Sequence, residues 1–152
     1  RRVLSYAEGR AAVRESLQPF YYSMTTGGYT IFYVADVAAT LAFYVAAFGC
    51  TQKFLSPNQD YGELETGNTT LAFAAYTMAD FNGFTISKQD PNAPPAPCEL
   101  AFITDDVDAL YAQAIAAGAH ALQPPTHKPW GQMVAYVRDV NGFLVELCTK
   151  MA

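Results

Sequence analysis

The feature that most constrains this chain is that it repeats itself. Aligning Asp36 with Asp106 places Tyr29 on Glu99, Phe32 on Phe102 and Val37 on Val107, a period of 70 residues. In the first copy Tyr29 to Val34 is rich in β-formers and reads as a strand. Asp36 then sits where a helix N-cap belongs, Val37, Leu41, Tyr44 and Phe48 recur with helical spacing, and Gly49 marks the stop. Strands are expected at Thr51 to Leu55, Tyr61 to Glu65 and Thr69 to Ala75, with a turn at Thr66-Gly67-Asn68. The second copy runs in the same order. Glu99 to Thr104 is a strand, and Asp105 or Asp106 caps a helix through Val107, Leu110, Tyr111, Ala114 and Ile115 that ends at Gly118. A short strand near Ala119 to Leu122 follows, then Gln132 to Arg138 and Phe143 to Thr149, the last two joined at Asn141-Gly142 by what reads as a type I′ turn. The unit is βαβββ, twice, which makes the fold class α+β.

Residues 29 to 50 carry one charge and imitate a membrane span, but Asp36 in mid-helix would cost about 2.5 to 3.5 kcal/mol on insertion, and the β-rich start argues for strand then helix. No membrane partner is therefore expected. With 152 residues, 51% hydrophobic and only 15% charged, the chain has the apolar content for one compact domain. Its net charge of −5 disfavours a phosphate-binding surface, so no nucleic acid is expected. Residues 1–23 differ from the rest, with four arginines against two glutamates, while the remainder holds five basic against twelve acidic residues. They read as a leader or N-terminal extension, or equally as an amphipathic helix using Val3, Leu4, Ala7, Ala11 and Leu17, ahead of a single domain at 24–152. Cys50, Cys98 and Cys148 are odd in number and lack C-x-x-C spacing, so a reducing cytoplasm is the expected location.

Several short motifs then stand in order: Tyr33-Val34-Ala35-Asp36, Ala42-Phe43-Tyr44 and Phe48-Gly49, followed by Phe102-Ile103-Thr104-Asp105-Asp106-Val107, Ala117-Gly118, Pro129-Trp130-Gly131, and Arg138-Asp139-Val140-Asn141-Gly142 running into Phe143-Leu144-Val145-Glu146-Leu147. Through them, over residues 28 to 150, the chain resembles the vicinal oxygen chelate superfamily, which includes glyoxalase I, bleomycin-resistance proteins and extradiol dioxygenases. Val140-Asn141 stands where the family often has Pro-Asp. The resemblance implies two modules, 28–76 and 98–150, whose curled mixed sheets surround a cavity, commonly across a homodimer.

Strand alternation places side chains in that cavity. If Phe32, Val34, Leu100, Phe102, Val145 and Leu147 pack beneath the helices, then Tyr29, Ile31, Tyr33, Glu99, Ala101, Ile103, Leu144, Glu146 and Cys148 face the other side. Metal-using relatives hold their ion at the first and last strands of each module. The corresponding places here are Tyr29, a position near Leu71 to Phe73 with no ligating side chain, Glu99 and Glu146. Two carboxylates and a neutral phenol are a poor set for a divalent ion, so no metal cofactor is expected, with a site at Glu99 and Glu146 as the alternative. The same two carboxylates are the best candidates for catalytic groups, since a close pair with separated pKa values suits proton abstraction beside a carbonyl.

Aromatics beside carboxylates suit a planar or cationic guest. Tyr29, Tyr33, Tyr61, Phe73 and Trp130, with Glu99 and Glu146, are the expected ligand-binding residues. The expected activity is metal-free binding of a small molecule, of the drug-sequestering kind that bleomycin-resistance relatives perform. The alternative is a metal-dependent lyase or isomerase of glyoxalase I type acting on a glutathione-like adduct. Thr77 to Pro97 is too irregular in pattern for an ordinary connection and reads as either a lid or a dimer-contact arm, and His120 and His127 read as surface residues.

Overall fold

The computed structural model describes residues 26–67 and 69–151; the expected leader lies outside them. The first module runs β1 (Tyr29–Val34), α1 (Val37–Phe48), β2 (Thr51–Leu55), β3 (Tyr61–Glu65) and β4 (Thr70–Ala75). A short helix α2 (Tyr76–Phe81) leads into the connecting segment. The second module is β5 (Glu99–Ile103), α3 (Val107–Ala116), β6 (His120–His127), β7 (Met133–Arg138) and β8 (Leu144–Cys148).

Both long helices begin as their caps dictate. Asp36 is extended, at φ −134°, and its carboxylate accepts from the Ala39 N–H at 2.9 Å. Asp106 does the same for Ala109 at 2.9 Å, so Asp106 rather than Asp105 is the cap. Gly49, left-handed at φ 68°, ends α1 by donating to the Val45 carbonyl.

Each module folds into a four-stranded sheet, ordered β1-β4-β3-β2 and β5-β8-β7-β6. The first strand lies parallel to the last of its module, and the remaining pairs are antiparallel. The equal order in the two sheets is the structural form of the 70-residue repeat.

The two sheets meet through their helix-bearing sides. Helix α1 packs on α3, Phe48 stacks on Phe102 at 4.9 Å, and Phe32 stacks on Phe143 at 4.6 Å. Tyr44, Phe73, Leu41, Leu64 and Leu147 are fully buried in this shared core. Each contributes on the order of 1.5 to 3 kcal/mol by leaving water. Gly62 on β3 lets α1 settle closely, because a Cβ there would lie 2.5 Å from the Leu41 side chain.

Three local expectations are corrected. Strand β6 is longer than read, reaching His127 through Pro124 and Pro125. It is an edge strand with register breaks between Ala121 and Gln123 and between Gln123 and Thr126, the setting in which proline is tolerated. The β7–β8 connection is not type I′. Only Gly142 has positive φ, at 92°, and its N–H donates to the Asp139 carbonyl, so a turn over Val140-Asn141 is followed by a left-handed glycine. The Asp139 carboxylate dictates this form by accepting from the N–H groups of Asn141 and Phe143 at 2.9 and 2.8 Å.

The third correction concerns the connecting segment, which starts with α2 rather than irregular chain and is then tied down. Arg138 donates to the carbonyls of Pro91 at 2.7 Å, Asp90 at 3.1 Å and Gly142 at 2.9 Å. The Gln89 N–H donates to the Tyr76 hydroxyl at 3.1 Å, and Phe84 packs edge-on against Tyr33. In this structure the segment is a strap from one module to the turn of the other.

Candidate ligand-binding face

Because the helices lie between the sheets, each sheet presents its other face outward, and the expected alternation holds. Val34, Val145 and Leu147 are in the core, while Tyr29, Ile31 and Ile103 are 62%, 43% and 67% exposed.

On the second sheet the register assembles a polar cluster. Glu146 on β8 has Ala101 of β5 on one side and Tyr136 of β7 on the other, and Glu99 is two residues before Ala101. The Tyr136 hydroxyl donates to Glu146 Oε2 at 2.8 Å. That bond, helped by burial and by the negative charges of Glu146 and Glu99, pushes the Tyr136 phenol up to about 12. Glu99 is raised above the usual carboxylate range, first by desolvation, then by the charge of Glu146 and a hydrogen bond to it. Cys148, two residues beyond Glu146, is buried, and burial with a bond to Glu146 pushes its thiol up to about 11. The Lys128 ammonium completes the cluster, 5.8 Å from the Tyr136 ring centre and 3.4 Å from Gln123 Oε1.

The face is bounded at both ends. Arg138 shares the face of Tyr136 by alternation and carries the strap at Asp90 and Pro91. At the other end Lys128 to Gly131 form a tight turn, closed by Gly131 N–H to Lys128 O at 2.9 Å. Trp130 in this turn is 60% exposed and donates to Gln132 Oε1 at 2.7 Å, and Gln132 in turn holds the Thr149 carbonyl.

The first sheet carries a different arrangement. Glu63, opposite Ala72, accepts from the Tyr61 hydroxyl at 3.0 Å and pairs with the Lys53 ammonium at 3.0 Å. Burial and the bond to Glu63 push the Tyr61 phenol up to about 12. This carboxylate is already neutralised.

Of the residues expected from sequence, Glu99 and Glu146 come together, and Trp130 lies in the Lys128–Gly131 turn at one end of the same sheet. Tyr29, Tyr33 and Tyr61 lie on the other sheet's open side, not on the same surface within one chain. Phe73 departs from expectation: it is fully buried against Tyr44, with ring centres 4.8 Å apart, and belongs to the core. Sequence reasoning missed Tyr136, Lys128, Glu63 and Lys53. Counting back from the Asp139–Phe143 turn would have paired Tyr136 with Glu146, since cross-strand neighbours follow from hairpin register. Nothing in the sequence signals that Lys128 folds back over that ring.

The metal expectation can be tested on the donors. Register puts Ala72 opposite Ile31, which is the counterpart of Ala101 opposite Glu146, so the fourth family position offers a methyl group. Among the described residues no three His, Cys, Asp or Glu side chains gather. Two carboxylates, a neutral phenol and an alanine do not fit a firmly held transition metal.

A family model, the Glyoxalase/Bleomycin resistance protein/Dioxygenase superfamily, matches residues 27–147, and the chain belongs to that superfamily. Its fold is similar to a glyoxalase-related enzyme from Fulvimarina pelagi, with TM-score 0.72 and 20% identity over 84% of this chain and 89% of that one. A glyoxalase/bleomycin resistance protein/dioxygenase family enzyme from Burkholderia phytofirmans PsJN superposes with TM-score 0.66 at 23% identity, covering 80% and 96%. TioX from Micromonospora sp. ML1 gives 0.62 at 23%, covering 82% and 98%. At these identities the likeness is one of fold. No curated protein sequence matches the chain. Among the described residues no helix is long and apolar enough to cross a membrane.

Proposed function

We propose that this protein binds a small, planar organic molecule carrying positive charge on the open face of its second sheet, sequestering it without a metal and without chemical change. The observation that carries this reading is the contrast between the two sheets. Glu63 already has Lys53 as its counter-ion at 3.0 Å, whereas Glu146, held by Tyr136 beside Glu99, has no cation within ion-pair distance among the described residues. A half-buried carboxylate with a second carboxyl beside it gains most from a ligand that brings the missing charge. Trp130 and Tyr136 offer flat surfaces for an aromatic guest.

A second copy supplies the rest of the enclosure. The outward faces expose Tyr29, Ile31 and Ile103, apolar surface that a homodimer would cover by laying the first sheet of one copy over the second sheet of the other. That arrangement brings Tyr29, Tyr33 and Tyr61 to the carboxylates. The three cysteines are unpaired, in keeping with a cytoplasmic setting. The test is a thermal-shift screen of organic cations, anions and glutathione adducts, run beside light scattering. The reading expects a dimer and stabilisation by aromatic cations that is lost in Glu146→Gln. A strongest response from a glutathione adduct that appears only with added divalent metal would replace it with the lyase reading.

A further inference from the structure

Resting on that reading of the site, we propose that its ligand is an aromatic zwitterion, whose cationic end is taken by Glu146 and Glu99 and whose anionic end is taken by Lys128. Tyr136 lies between the two charges: its hydroxyl donates to Glu146 at 2.8 Å, while Lys128 sits over its ring, 5.8 Å from the centre. Lys128 does not neutralise Glu146, since the two are not within ion-pair distance of each other. Its only recorded polar partner among the described residues is Gln123 Oε1 at 3.4 Å, a long contact that leaves ammonium donors free. The residue is half-buried, which limits how far its side chain ranges into solvent. An acidic face with a fixed cation at one end discriminates between a simple amine, which uses one end, and a dipolar molecule, which uses both. The ligand ring would lie along Tyr136, beside the rim set by Trp130 in the Lys128–Gly131 turn.

The experiment titrates three probes of one shape, 4-(aminomethyl)benzoate, benzylamine and benzoate, into wild type, Lys128→Met and Glu146→Gln by calorimetry. Methionine keeps the apolar stem on the Tyr136 ring, and unchanged melting temperatures control for folding. In wild type the zwitterion should bind at least about tenfold tighter than benzylamine, the effect of one added charged hydrogen bond. Lys128→Met should erase that advantage and leave benzylamine binding intact, whereas Glu146→Gln should weaken both amines. Equal affinity of benzylamine and the zwitterion in wild type overturns the inference while the cation site stands, and needs no variant. Failure of both amines to bind, or benzoate binding tightest, overturns the inference and the reading beneath it together.

Discussion

The hydroxyl of Tyr44, on helix α1 of the first module, donates at 3.0 Å to a carboxylate oxygen of Asp139, in the β7–β8 turn of the second, 95 residues further along the chain. Both groups are fully buried. The same turn sends Asn141 Nδ2 to Thr40 Oγ1 of α1 at 3.1 Å, and Arg138 to the strap. One turn thus fixes the helix of the other module, the connecting segment and the hairpin that carries Tyr136 and Glu146.

Tyr44→Phe removes one donor from a buried carboxylate and leaves its shape unchanged. We expect a loss of about 1 to 3 kcal/mol in urea unfolding, still as a single transition because the modules share one core. Two separated transitions in the variant would show that the modules fold independently.

Asp139 also sets a pH dependence. Burial raises its carboxyl above the usual aspartate range, against the opposing bonds from Phe143, Tyr44 and Asn141. A raised folded pKa means that the stability from its proton is fully present below the unfolded pKa and is lost as pH rises through the folded one. Stability of wild type relative to Asp139→Asn should therefore grow as pH falls from about 7 to 4. The reverse slope would show that the hydrogen bonds outweigh the burial.

Much of this was legible in the sequence. The repeat gave both modules, because Asp36 and Asp106 each cap a helix after a β-rich run. Alternation put Glu99 and Glu146 on the outward side. It was silent where local pattern does not decide the outcome. Phe73 looks like any strand aromatic until the β3–β4 register turns it toward Tyr44. The Asn141-Gly142 pair suggests a type I′ turn until the Asp139 side chain captures the N–H groups of Asn141 and Phe143. Lys128 is reached by long-range packing of a flexible side chain, which no spacing encodes.

Arg138→Met should free the strap. The variant leaves the carbonyls of Asp90, Pro91 and Gly142 without their shared donor, so limited proteolysis is expected to cut within residues 82–98 earlier than in wild type. Binding of an amine probe at Glu146 should weaken less than cleavage accelerates. An unchanged cleavage pattern would mean that apolar contacts such as Phe84 on Tyr33 hold the strap without Arg138.

Tyr136→Phe isolates the bond that holds Glu146 in place. The phenyl ring keeps the packing, so the melting temperature should move little, while the affinity for an aromatic amine falls several-fold because the carboxylate is no longer positioned. An affinity equal to wild type would show that Tyr136 does not orient the acceptor.

The central claim is that Glu146 is the group that holds the ligand. Calorimetric titration of the tightest aromatic amine from an unbiased screen into wild type and Glu146→Gln, with Trp130 emission followed in parallel, tests it most directly. The account predicts a loss of at least about tenfold in affinity in the variant, with unchanged melting temperature in the absence of ligand and a Trp130 response in wild type. Equal affinities in the two proteins would contradict it.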